Sequence, residues 1–274
     1  MSAAERIQSS DTAGDLEQDL QSGVLRVVMN RPERRNSLSE RMIEALQSAL
    51  DQASSNPAVR VVILAAKGPA FCAGHDLKEV LAHRADADAG KAYFTWLMNS
   101  CSRMMQSITA CPKPVIAEVH GVATAAGCQL VASCDLALAA ETAQFATPGV
   151  NIGLFCSTPM IPLSRNVAPK HAMEMLLTGD MISANDAARI GLINRVTAPD
   201  DLTRETRDLA SRIASKSMAT IGLGKAAFYQ QRILPLAEAY AYGSHIMVEN
   251  MGFSDAGEGI GAFVAKRPAR WTDS

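Results

Sequence analysis

Aromatic residues make up only 5% of the 274-residue chain, too few for the stacked platforms that hold single-stranded nucleic acid. No excess of positive charge exists either: 26 Lys and Arg stand against 28 Asp and Glu, a formal charge of −2. Without that field neither a nucleic-acid coat nor a polybasic membrane binder is expected, although a local basic site for one anionic ligand is not excluded. Cys72, Cys101, Cys111, Cys128, Cys134 and Cys156 form no C-x-x-C pair, so they read as reduced, intracellular, buried thiols rather than a disulfide framework. His75, His83, His120, His171 and His245 lack metal-ligand spacing, and no metal is expected. The most apolar stretch falls short of a membrane span and is broken by Glu118, His120 and Asp135. Residues 1–23 hold no apolar h-region and several acids, which predicts neither a secretory signal nor an intact transit peptide. A cytoplasmic location is the expectation, or the mitochondrial matrix if a transit peptide has been removed.

Hydrophobic residues at 48% suffice for a buried core, and the length fits one large domain or one domain with an appendage. Residues 1–22 read as a polar, poorly ordered leader. VLRVVM (24–29) reads as a strand, and Ser37 to Ser55 as a helix opened by a capping box of Ser37 and Glu40. VVILAA (61–66) is a continuous apolar run, as in a strand buried on both faces of a parallel sheet. Helical text from about 89 to 109 follows, then a strand at 114–119, a helix from about 123 to 133, and strands at 135–140 and 143–147. This alternation predicts an α/β body. A helix ending at Gly179, a helix start at Ser183 with Asp186, and a last strand at 192–196 complete residues 23–200. Residues 201–274 read as an appendage of three or four amphipathic helices.

Phe71-Cys72-Ala73-Gly74-His75-Asp76 and His120-Gly121 with Ala125-Ala126-Gly127-Cys128-Gln129 each follow a strand and open a helix. Such turns aim free backbone N–H groups at one point and suit an anion or a developing oxyanion. The alternative is that glycine merely meets the needs of a turn. The turns belong to successive strand–helix units, which allows them to face each other.

From about residue 22 to 271 the chain resembles the crotonase (enoyl-CoA hydratase/isomerase) superfamily, on NRPERRNSLS, FCAGHDLKEV, KPVIAEVHG, AAGCQLVASCDLALA, AQFATPGVNIGL, AMEMLLTGDMISANDAARIGLINRV and EGIGAFVAKRPARW. The resemblance implies an α/β fold with a ββα spiral core and a C-terminal helical trimerisation region, assembled as a homotrimer or a dimer of trimers. It implies an acyl-CoA thioester as substrate, with coenzyme A part of the substrate and no separate cofactor. Carried over by position, the oxyanion donors are the backbone N–H groups of Ala73 and Ala126, the second usually glycine in the family. Coenzyme A is expected along Arg31, Arg34 and Arg35, with Ala73, Gly74, His75, Asp76, Leu77 and Gly127 lining the channel. Phe263 and Lys266 from a neighbouring tail are expected to help hold the nucleotide.

The hydratases of that family use two glutamates, and their positions here are Gln129 and Gly149; a third position, acidic in some isomerases, falls on Ser157. Neither glutamine nor glycine exchanges a proton near neutral pH, so ordinary two-carboxylate hydration is not expected. His75 is the best remaining acid/base candidate, and Gln129 is left to orient a water or the thioester. Three readings stay open: a hydratase or isomerase with substituted groups, a decarboxylase of malonyl-type esters or a thioesterase using His75, and a non-catalytic binder of CoA esters. Decarboxylation needs only stabilisation of the enolate, although the tyrosine of one such enzyme falls on Cys156. Cys156 reads as a core thiol, and Glu118 and Glu79 as acids without an assigned role.

Overall fold

The structure is a computed structural model that describes residues 14–274. Two sheets organise it. The larger has strand order β1 (Leu16–Gln21), β2 (Val24–Met29), β3 (Val61–Ala66), β5 (Val115–Val119), β7 (Leu136–Ala140) and β10 (Arg195–Thr197), with only the β1–β2 pair antiparallel. The smaller runs β4 (Ala70–Cys72), β6 (Val122–Thr124), β8 (Gln144–Ala146) and β9 (Ile182–Ser183). The part of the expected leader that can be described is therefore not a leader: β1 is a hairpin partner of β2, while residues 1–13 lie outside the described residues.

Side chains alternate across a strand, so β3 presents Val62 and Leu64 to one core and Val61 and Ile63 to another. The first core is closed by α1 (Glu40–Ser55), α3 (Lys91–Ala110) and α4 (Ala126–Ser133), with α2 (Leu77–Ala82) before them at the surface. Met42, Ile43, Leu46 and Leu50 recur at helical spacing on α1, and each is at most 2% exposed. The cap of α1 is Ser39, not Ser37, because it is the Ser39 Oγ that accepts the Met42 N–H at 3.3 Å. Glu40 does not close a box either: its own N–H donates to Glu79 Oε2 at 3.1 Å, which gives Glu79 a structural task. The helix expected from 123 begins at Ala126, since residues 122–124 pair with β4 and β8.

Beyond β8 come α5 (Met160–Asn166), α6 (Pro169–Thr178), closed by Gly179 in the left-handed conformation, and α7 (Ala184–Arg189), capped by Ser183 as expected. The second core is covered by α8 (Leu202–Ala214), whose Leu202, Ala210 and Ala214 pack on the back of the larger sheet. α8 thus belongs to the body rather than to the appendage, and the helical region proper is α9 (Met218–Gln231), α10 (Leu236–Met251) and α11 (Ser254–Val264). α10 buries no residue. No helix among the described residues is long and apolar enough to cross a membrane.

Glu118 shares its face of β5 with Ile116, toward α8 and away from the core that holds Phe71, Cys72 and Ala126. It meets Arg26 Nη2 at 2.5 Å and accepts the Thr203 hydroxyl at 3.0 Å. This acid is one half of a structural ion pair and cannot serve the turns. Glu118→Ala leaves the Arg26 guanidinium, 22% exposed, without its counter-charge. Denaturant unfolding should show a loss of roughly 2–4 kcal/mol, with much of it recovered when Arg26→Met is added.

Candidate functional site

β4 and β6 are parallel neighbours, with Ala70 opposite Val122 and Cys72 opposite Ala123, so the turns that follow them leave the sheet side by side. They are in contact. Gly74 has φ +92°, and a Cβ there would lie 2.9 Å from Ala125 Cβ and 3.1 Å from the Thr124 carbonyl oxygen. At Gly127 a Cβ would fall 2.0 Å from the Cys72 carbonyl oxygen. The Thr124 hydroxyl adds a bond across the junction, donating to the Ala73 carbonyl at 3.2 Å. The two turns face each other as the strand order allows.

Which N–H groups are free is decided by a third segment, residues 31–39, laid along the first turn. The Ala73 N–H is spent: it donates to the Arg35 carbonyl at 3.1 Å, which removes it as an oxyanion donor. Leu38 N–H donates to the Gly74 carbonyl at 2.8 Å and Asp76 N–H to the Leu38 carbonyl at 3.4 Å. Between them the His75 N–H has no partner among the described residues. Ala126 opens α4, so its N–H has no intrahelical acceptor, and no other acceptor takes it among the described residues. Ala125, at φ 51° and ψ −119°, holds the peptide before it in a conformation that glycine adopts freely and alanine does not. That strain costs on the order of 1–3 kcal/mol. The free pair is His75 N–H and Ala126 N–H, two residues on from the expected partner of Ala126.

No carboxylate stands at the two positions where the resemblance implies one. Gln129 lies one helical turn beyond Ala126, 4% exposed, and its Oε1 is buried without a hydrogen bond. Gly149 is enclosed: its N–H points at Cys156 Sγ at 3.4 Å, and a Cβ would sit 2.8 Å from the Leu154 carbonyl oxygen and 2.9 Å from that sulfur. Burial pushes the Cys156 thiol pKa up, as befits a core thiol. Ser157 is exposed and donates to the Phe155 carbonyl at 3.3 Å. His75 Nε2 is buried with no partner, and burial pushes the imidazole down to about 4. At neutral pH the ring is therefore uncharged, so His75, the acid/base candidate of the sequence, carries no proton to give as an imidazolium.

Asn36 escaped notice in the sequence. It is fully buried, with Nδ2 donating to the carbonyls of Lys67 (2.8 Å) and Ala70 (2.9 Å) and Oδ1 accepting the Arg31 N–H at 2.8 Å. It ties the 31–39 segment to β4, and its only sequence signal is an asparagine after two arginines, at φ 50°. Arg31 is already engaged, with Asp15 at 3.7 Å, Glu33 at 3.6 Å and the Ser39 hydroxyl at 3.3 Å. Arg34 and Arg35 are exposed and have no ion-pair partner among the described residues. Asp76 caps α2 through Lys78 N–H at 2.9 Å and receives the Ser37 hydroxyl at 3.2 Å, while Leu77 is 53% exposed. Gly127 is buried where the Cys72 backbone leaves no room for a side chain. Phe263 is 85% exposed on α11, with Lys266 just beyond, and no hydrogen bond joins either to the turns among the described residues.

The depressed His75 pKa has a consequence for stability. Between pH 6.5 and about 4 the unfolded chain binds a proton at this residue that the folded chain refuses. Stability from the neutral ring is therefore full above pH 6.5 and is lost as pH falls toward 4. Urea midpoints measured across that range should fall less steeply for His75→Gln than for the unaltered chain.

The family profile described as Enoyl-CoA hydratase/isomerase matches residues 19–274. The chain is 46% identical to "Enoyl-CoA hydratase domain-containing protein 3, mitochondrial" of Xenopus laevis, over 92% of its own length and 84% of that protein. It is 34% identical to "Enoyl-CoA hydratase, mitochondrial" of Pongo abelii, covering 90% and 83%. Among solved structures, human enoyl Coenzyme A hydratase domain-containing protein 3 superposes with a TM-score of 0.89 at 44% identity, covering 94% of this chain and all (100%) of that one. An enoyl-CoA hydratase of Mycobacterium smegmatis gives 0.90 at 48% identity, covering 94% and 98%. On its sequence, its two-sheet α/β body and its paired turns, this chain belongs to the enoyl-CoA hydratase/isomerase family, with the crotonase fold.

Proposed function

We propose that this chain binds acyl-CoA thioesters and stabilises the thioester enolate between the N–H groups of His75 and Ala126, without the two-carboxylate addition of water. The observation that carries this reading is the pair of free donors on touching turns combined with Gln129 and an enclosed Gly149 at the acidic positions. Backbone donors act wherever an oxyanion forms, whatever the side chains do. Arg34 and Arg35, exposed and without carboxylate partners, are suited to the phosphates of the nucleotide. The exposed apolar side chains Leu236, Tyr240, Met247, Val248 and Met251 on α10 support a homo-oligomer, a trimer or a dimer of trimers, that covers them; light scattering tests it.

A second reading, decarboxylation of malonyl-type esters, is favoured by His75. Its neutral ring carries a buried Nε2 without a partner, in the residue whose own N–H is a donor. A neutral imidazole can donate one ring N–H to the departing carboxylate, while the proton that quenches the enolate comes from solvent after CO₂ has left. His75→Ala should then lower turnover of a malonyl-type CoA ester by about 10²-fold or more while affinity changes little. Equal turnover by the two proteins overturns that role.

Calorimetry should give micromolar or tighter binding of acyl-CoA esters, and the absence of binding across short, medium and long chains overturns the main reading. Crotonyl-CoA hydration should run at least ~100-fold below that of a two-glutamate hydratase, since each acid–base group typically contributes about 10²–10⁴-fold. Gln129→Glu alone should leave most of that deficit in place, because Gly149 still supplies no second carboxylate.

A further inference from the structure

A cavity of about 540 Å³ opens between α3, α4, α5 and α9. Its size is that of a small-molecule site, commonly about 300–1,000 Å³. Its floor is buried: Gln129 and Ser133 on one face of α4 are 4% and 5% exposed, and Met105 of α3 is 4% exposed. Gln129 follows the donor Ala126 by three residues, so a thioester carbonyl held at Ala126 has this cavity one helical turn away. The floor is not purely apolar, since the Gln129 Oε1 there has no hydrogen bond.

The mouth is cationic. Ile161 and Ile233 flank Arg165 of α5 and Arg232, just after α9; all four are exposed. No acidic residue lines the cavity among the described residues. Asp135, which the lining residue Tyr229 touches, is already held by Lys225 Nζ at 2.6 Å and by the Tyr229 hydroxyl at 2.8 Å. Neither arginine has an ion-pair partner among the described residues. Arg165 donates to the Ile161 carbonyl at 3.0 Å, and Arg232 donates to the Arg165 carbonyl and sits 5.5 Å over the Phe228 ring. Both arginines thus line the same cavity, with neither charge met by a carboxylate among the described residues.

Resting on the acyl-CoA reading above, we infer that this cavity takes the acyl chain and that Arg165 and Arg232 select an acyl group ending in a carboxylate. The class of substrate is the mono-CoA ester of a medium-chain dicarboxylic acid. The α4 face from Ala126 to Ser133 spans about 10 Å at 1.5 Å per residue, the reach of a medium-length chain. A plain alkyl end at the mouth gains nothing from two guanidinium groups, whereas a carboxylate gains charge-assisted hydrogen bonds to both.

The test is calorimetric titration of the purified chain with a length-matched pair, octanoyl-CoA and suberoyl-CoA. Suberoyl-CoA should bind about 5-fold tighter or more at low ionic strength, with the gap narrowing as salt screens the exposed pair. The double variant Arg165→Gln, Arg232→Gln should erase the difference between the esters. Equal affinities in the unaltered chain, or a preference that survives the double variant, overturns the inference while leaving the acyl-CoA reading in place. Binding of neither ester overturns both.

Discussion

The contact between the turn at Gly74 and the turn at Ala125 is the constraint on which the site depends. Each side of that junction has lost a methyl group where one would collide, at Gly74 against Ala125 and at Gly127 against the Cys72 carbonyl. Parallel pairing of β4 with β6 sets the two chain segments at strand spacing, and only glycine lets the backbones beyond the strands stay that close. Everything chemical about the site follows from it. The two free N–H groups converge because the turns touch, and Ala125 tolerates a strained backbone because its neighbours leave it nowhere else to go.

A third segment then decides what the turns can do. By pairing Arg35 and Leu38 with residues 73–76, the chain consumes three of the polar groups of the first turn and leaves the His75 N–H over. Asn36 holds that segment in place with its side-chain amide fully used. The exposed arginines at 34 and 35 are carried on the same clamp. Donor selection and cation placement are thus two outcomes of one short stretch of backbone pairing.

Much of the body was legible along the chain, because buried parallel strands such as VVILAA and the periodic face of α1 announce themselves through hydrophobic pattern. The small sheet was harder: Val122–Thr124 is only three residues long and sits against a helix, so pattern alone absorbed it into α4. Ser37 reads as the cap of α1 because its spacing to Glu40 imitates a capping box, whereas the hydroxyl that meets the Met42 N–H is that of Ser39. Which N–H of the first turn is left free was beyond reach, since it turns on which one finds an acceptor some forty positions earlier in the chain. Glu118 is the same lesson at longer range, its role fixed by Arg26, 92 residues away. That positions 129 and 149 carry no acid was plain from sequence; that position 149 is physically closed was not.

That closure bears on the history open to this protein. A glutamate at 149 needs a space now filled by the Leu154 carbonyl and the Cys156 sulfur, so a codon change that introduces the acid also breaks local packing. Moving Cys156 first would leave a void beside Gly149 with no acid to fill it, and such voids cost stability. Each ordering of the steps passes through a worse protein. Glycine at 149 is thus locked by its surroundings: any side chain there needs compensating changes at Leu154 and Cys156 made together.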